Sequence, residues 1–173
     1  QLDQIADLYI SDGKISAVGE APKGFVAETT IEASDKIVCP GLIDLCAHAR
    51  EPGPSQKGSI KTETMAAVAG GITTMITPPT TSPIIDNSAV AELIKDRCNE
   101  AGRMTIKPMG ALTKGLEGEQ LAPMMALASS GCIAFTNARL PIANSLVMMR
   151  CLEYAATHDL LVIFQAQDAA LAK

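Results

Sequence analysis

Apolar positions change their rhythm near Pro40. Ahead of it they come in short runs, "IADLYI" and "KISAVG", parted by Ser11-Asp12-Gly13, with further strand candidates at Phe25 to Ile31 and Lys36 to Cys39. Asp-Gly between two apolar runs predicts a hairpin, because glycine accepts the positive φ of a tight turn. Beyond Pro40, apolar strands alternate with helical stripes. "GLIDLCA" leads to a helix over about Ser59 to Ala69, closed by Gly70 and Gly71, and then to the β-branched strand "ITTMIT". A second helix runs from about Ser88 to Ala101, with Val90, Leu93, Ile94, Cys98 and Ala101 on one stripe and Gly102 as its stop. "MTIKPM" follows, then a helix near Glu119 to Ser129, "CIAFT", a helix near Ala143 to Thr157, and "LLVIF".

Five such strands with four intervening helices predict a parallel sheet covered by helices. A doubly wound sheet and an eight-fold barrel both fit. No Gly-x-Gly-x-x-Gly follows a strand, which removes support from the nucleotide-binding version of the first. A barrel needs about 250 residues, and about 133 follow Pro40. The expectation is therefore the first part of a (β/α)8 barrel of the TIM type over residues 41–173, preceded by a small β portion over residues 1–40. On that reading the chain is a piece of a larger protein.

Composition narrows the function classes. With 47% hydrophobic residues the chain can bury a core, and its net charge of -5 with no basic block argues against nucleic acid or an anionic membrane as partner. Aromatic content of 3% without Trp offers no stacking surface for single strands. Apolar runs stop short of the roughly 20 residues a spanning helix needs. Five widely spaced cysteines, Cys39, Cys46, Cys98, Cys132 and Cys151, read as reduced thiols, which sets the expected location as cytoplasmic.

In a barrel, chemistry gathers where strands end. The first end carries Asp44, Cys46, His48 and Arg50; alternate residues share a face, so Cys46 and His48 can converge on a metal, or be a buried thiol and a hydrogen-bonded imidazole. The second end is "TPPTTSP", where prolines fix the loop's path and the hydroxyls can contact a ligand, or the segment is simply a rigid turn. Lys107 and Lys114 mark the third and are expected to be solvated; Asn137 and Arg139 mark the fourth; Gln165, Gln167 and Asp168 mark the fifth. His158 precedes the fifth strand, on the wrong side for such a site. Amides are poor ligands for transition metals, since a neutral carbonyl oxygen neither offsets the ion's charge nor donates like an imidazole.

Four segments in order, "VCPGLIDLCAHAREPG", "AAVAGGITTMITPPTTSPIIDN", "GALTKGLEGEQL" and "GCIAFTNARLP", closely resemble class I dihydroorotases of the amidohydrolase superfamily. The resemblance implies a barrel with a small β-sandwich built from both chain ends, and a zinc site that interconverts carbamoyl aspartate and dihydroorotate in pyrimidine biosynthesis. The family's first-strand motif is Asp-x-His-x-His-x-Arg; Asp44, His48 and Arg50 match it, and Cys46 replaces the first His. Thr80 stands where the family's Met-Pro-Asn-Thr loop places a substrate-binding Asn. Asn137 stands for the metal-binding Asp of Ser-Asp-Asp-Gly, with Ala138 following, and Gln165 stands for the His of His-Cys-Glu-Asp.

Of four ligand positions, Cys46, His48, Asn137 and Gln165, one is unchanged. The resemblance thus implies a dihydroorotase-like protein without catalytic residues or a resident cofactor, with Arg50 and Thr80 as vestiges of substrate binding. It also implies an oligomeric, structural partnership with aspartate transcarbamoylase. Two alternatives stand beside it: an active cyclic amidohydrolase with zinc held by Cys46, His48 and ligands from later strands, and a metal-free sensor in which Arg50 grips a carboxylate.

Overall fold

The computed structural model describes residues 4–102, 104–168 and 171. Contacts divide the chain after Cys39 into two compact units. In the first, β1 (Leu8–Ser11) and β2 (Lys14–Val18) form the antiparallel hairpin expected from Asp12-Gly13, both of which take positive φ. No strand forms at Phe25 to Ile31 or at Lys36 to Cys39, against expectation. A strand lasts only as part of a ladder, and no partner strand for these segments lies among the described residues. Val26 and Ile37 stand 85% and 94% exposed as a result. The β-sandwich portion is thus seen only as one hairpin.

The second unit holds a parallel sheet in the order β3 (Leu42–Asp44), β4 (Ile72–Thr77), β5 (Thr105–Ala111), β6 (Ala134–Thr136). Helices α1 (Ile60–Ala69), α2 (Ser88–Ala101) and α3 (Met124–Ser129) make the crossovers between these strands, and α4 (Ser145–Thr157) follows β6. The helix ends follow their caps. Ser59 and Thr62 close a reciprocal capping box on α1, the Asn87 Oδ1 accepts from the Val90 N–H at 3.2 Å, and Gly102 ends α2 at φ 60°. Asn144 caps α4, so that helix opens at Ser145 and not at Ala143.

Three elements are shorter than their patterns suggest. β3 stops at Asp44 because the Asp44 carboxylate accepts the Cys46 N–H at 3.0 Å and bends the chain. α3 begins after Pro123, not at Glu119, since residues 119–122 pair back onto the end of β5: Lys114 N–H donates to the Gln120 carbonyl at 2.8 Å and Ala122 N–H to that of Leu112 at 2.9 Å. The expected fifth strand shrinks to a single parallel bridge, Phe135 to Val162. Ile163 and Phe164 past that bridge stay largely exposed, so side-chain burial adds little to hold the segment in the ladder.

The core lies between the sheet and its helices, around Ile85, Ile94, Leu112, Met124, Leu127 and Phe135. On α2, Val90, Ala91, Ile94 and Cys98 are buried, and Leu93 sits at the stripe's exposed margin. Gly110, in the middle of β5, pairs with Phe135 of β6; a Cβ there would lie 2.8 Å from the ring. The glycine is the space that the largest buried side chain fills.

Two stability predictions follow from this packing. In the intact protein, Gly110→Ala is expected to cost about 1–3 kcal/mol by overpacking, and Asn87→Ala about 1 kcal/mol by uncapping α2. Urea denaturation reads both as lower midpoints; an unchanged midpoint for Gly110→Ala would show that the ring yields freely.

Candidate functional site

All parallel strands deliver their C-terminal ends to one edge of the sheet, and the sequence-derived candidates fall there. After β3, the Ala47 N–H still donates to the Ile76 carbonyl at 2.9 Å, so the chain continues beside β4. Alternation then sorts the side chains: Ala49 is buried, while Cys46, His48 and Arg50 are exposed. Arg50 takes φ 60°, a left-handed conformation that re-aims the chain into Glu51-Pro52-Gly53. The Ser82 N–H donates to the Pro52 carbonyl at 2.9 Å and ties this turn to the loop after β4.

Between the two loops lies a cleft of about 290 Å³ lined in part by His48, Arg50, Thr77, Pro78, Thr80 and Thr81. Thr77, Pro78 and Pro79 are buried, which fixes one wall. Thr80 Oγ1 is 3.4 Å from His48 Nδ1, a long contact whose donor depends on the imidazole tautomer. Arg50 Nε lies 3.6 Å from Glu63 Oε1 on α1, with both side chains part exposed. A pair of this kind contributes about 0.2–1 kcal/mol, so an incoming carboxylate can displace Glu63. Glu63 went unnoticed in the sequence; its position four residues after the Ser59 cap, in the first turn of α1, was the available signal.

The structure therefore brings His48, Arg50 and Thr80 around one cleft. Cys46 is exposed and does not line it. Asn137 is buried, 2% exposed, at the end of β6. Its Oδ1 accepts from the Thr113 hydroxyl at 2.7 Å, and its Nδ2 donates to the carbonyls of Leu116 at 3.1 Å and Leu140 at 3.0 Å. Gln165 is exposed and donates to the Gln167 side chain at 2.8 Å. Asp168 accepts from the Leu171 N–H at 3.1 Å. Lys107, Lys114 and Arg139 are exposed, and His158 closes α4 with its ring against Tyr154.

Thr113, like Glu63, carried no expectation from the sequence. It is fully buried, donates to Asn137 and accepts the Gly118 N–H at 3.0 Å. Its only signal was a hydroxyl directly after an apolar strand. Among the thiols, burial pushes Cys132 up to about 12, burial helped by the Glu51 charge pushes Cys98 up to about 12, and burial also raises Cys151. These three are structural and unreactive. Among the described residues no group of three or more His, Cys, Asp and Glu side chains converges as a metal site.

Comparisons with known proteins add to this geometry. A family model described as Dihydro-orotase-like matches residues 35–173. A "Dihydroorotase-like protein" of Pseudomonas putida is 54% identical over 99% of this chain and 41% of its own length. One of the same description from Pseudomonas aeruginosa is 51% identical over 99% and 41%, and a "Dihydroorotase" of Syntrophobacter fumaroxidans is 44% identical over 99% and 40%. The chain thus spans about two-fifths of the length of these curated relatives. Among solved structures, the L-hydantoinase (dihydropyrimidinase) from Arthrobacter aurescens superposes with a TM-score of 0.77 at 20% identity, over 95% of this chain and 38% of that one. That likeness makes the parallel sheet a curled half-barrel and sets aside the doubly wound alternative. With the family model covering most of the chain and relatives matching nearly all of it, this chain belongs to the dihydroorotase-like family.

Proposed function

We propose that the protein carrying this chain is a dihydroorotase-like member of the cytoplasmic pyrimidine pathway that performs no hydrolysis itself and serves as a structural partner of aspartate transcarbamoylase. The observation that carries this reading is the state of Asn137. Family resemblance calls for zinc, which would make a hydroxide near neutral pH and polarise a ring carbonyl. Zinc takes three or four protein ligands, drawn from thiolate, imidazole and carboxylate. At the four corresponding positions, Asn137 turns both amide protons toward carbonyl oxygens and its own oxygen toward a hydroxyl, and Gln165 is an exposed amide paired with another. Cys46 and His48 alone keep suitable atoms. These residues do not fit a two-metal centre, and no catalytic step is routed through one.

What remains intact supports assembly. The capped helices, the glycine that accommodates Phe135 and the proline-fixed loops preserve a barrel-type scaffold whose surface can meet another protein. A second reading has its own observation: Arg50, His48 and Thr80 still line a cleft, and a guanidinium there suits a small carboxylate. On that reading the protein senses a pathway intermediate without turning it over.

Metal analysis and a dihydroorotate hydrolysis assay on the intact protein are expected to give zinc well below one equivalent and no turnover above background. Near-stoichiometric zinc with turnover would instead establish the active enzyme with a rebuilt site at Cys46 and His48. Co-purification is expected to yield a complex with aspartate transcarbamoylase, whereas a clean monomer that leaves transcarbamoylase activity unchanged would remove the partnership. Calorimetry with carbamoyl aspartate tests the sensor: binding lost in Arg50→Ala supports it, and no heat with the unsubstituted protein ends it.

A further inference from the structure

Two turns at the C-terminal edge of the sheet contain non-glycine residues in the left-handed region. The turn after β5 holds Leu116 at φ 61°, between Gly115 at 59° and Gly118 at 76°, and the turn after β6 holds Ala138 at φ 52°. Leu116 is buried, 4% exposed, so water does not serve its backbone. Both turns are joined through one side chain. Asn137 Nδ2 donates to the Leu116 carbonyl in the first turn and to the Leu140 carbonyl in its own, and Asn137 Oδ1 takes the Thr113 proton. The Thr113 oxygen in turn receives the Gly118 N–H, which closes the β5 turn on itself. Every polar atom of the pair is used, and no buried side-chain polar atom among the described residues lacks a partner.

We infer that Asn137 is a buried brace holding two strained turns together, and that the fold now excludes a carboxylate at this position. The inference deepens the reading of the lost metal site and rests on the family correspondence at residue 137, though not on the protein being inactive. The chemistry is one of donors and acceptors. An ionised Asp has the size of Asn but no proton to give. At residue 137 it would set an oxygen against the Leu116 and Leu140 carbonyls at about the distances the amide now spans, the Leu116 contact buried and the Leu140 contact partly so. Only the Thr113 bond would survive. A single reversal toward the family's acid therefore removes the two contacts that hold the strained turns and gains no ligand set, since Gln165 and Cys46 remain as they are. Losing the brace releases backbone held in a conformation that L-residues seldom adopt.

The test uses the intact protein and the substitutions Asn137→Asp and Asn137→Ala. Thermal unfolding at neutral pH is expected to show Asn137→Asp several degrees below the unsubstituted protein and no higher than Asn137→Ala. Equilibrium dialysis against zinc alone is expected to show no gain in bound metal. Asn137→Asp that matches the parental Tm, or that gains an equivalent of zinc, overturns the inference. Should the Asp variant not fold, Thr113→Val and Asn137→Ala with their double substitution keep the question open to measurement. Coupled unfolding free energies and an exchange rate about tenfold faster for the Gly118 amide in Asn137→Ala support the brace; strict additivity with unchanged exchange refutes it. Zinc content of the unsubstituted protein reports separately on the inactive reading, so the two can fail independently.

Discussion

Parallel pairing is the constraint from which the rest of the second unit follows. Strands laid side by side in one direction cannot be joined by tight turns, so each needs a crossover, and the crossovers here are α1, α2 and α3. The same direction sends every strand's last residue to one edge. Four chain segments far apart in sequence thereby bring His48, Thr80, Thr113 and Asn137 to the ends of neighbouring strands. At Gly110, within that sheet, the absence of a side chain makes room for the Phe135 ring.

Legibility in the sequence tracked how local each signal was. α1, α2 and α4 were readable because Ser59, Asn87 and Asn144 bond to N–H groups within three residues, and Gly102 ends α2 with its own φ. α3 was over-extended because Glu119 to Ala122 look helical on their own, while their partners, Leu112 and Lys114, lie back along the chain. The candidates at Phe25 to Ile31 and Lys36 to Cys39 failed, and "LLVIF" shrank to one bridge, for the complementary reason: an apolar β-branched run proposes a strand, and a neighbour must accept it. At the site, residue types were readable and their company was not. Asn137 looks like a weakened ligand in a linear motif; in three dimensions it is a two-proton donor among carbonyl oxygens.

That difference alters how the substitution pattern is understood. An Asp-to-Asn exchange can be a passive loss, with the amide idle where a metal once sat. Here both amide protons are engaged by carbonyl oxygens, that of Leu116 buried, so the residue fits its present surroundings. Cys46 differs in kind: it is exposed, does not line the cleft, and its thiol makes no comparable bond among the described residues. Positions that correspond to one ligand set in the family motif thus stand under quite separate structural constraints in this chain.

The Arg50–Glu63 pair has a further bearing on the cleft. Among the described residues Arg50 is the one formally charged side chain lining it, and the Glu63 carboxylate beside it offsets that charge beyond the pair itself. Long-range attraction, which operates over a Debye length of about 8 Å in physiological salt, is therefore weak for anions in solution. On the sensor reading, recognition of an anion by these residues would therefore rest on contact, one carboxylate exchanging for another at Arg50.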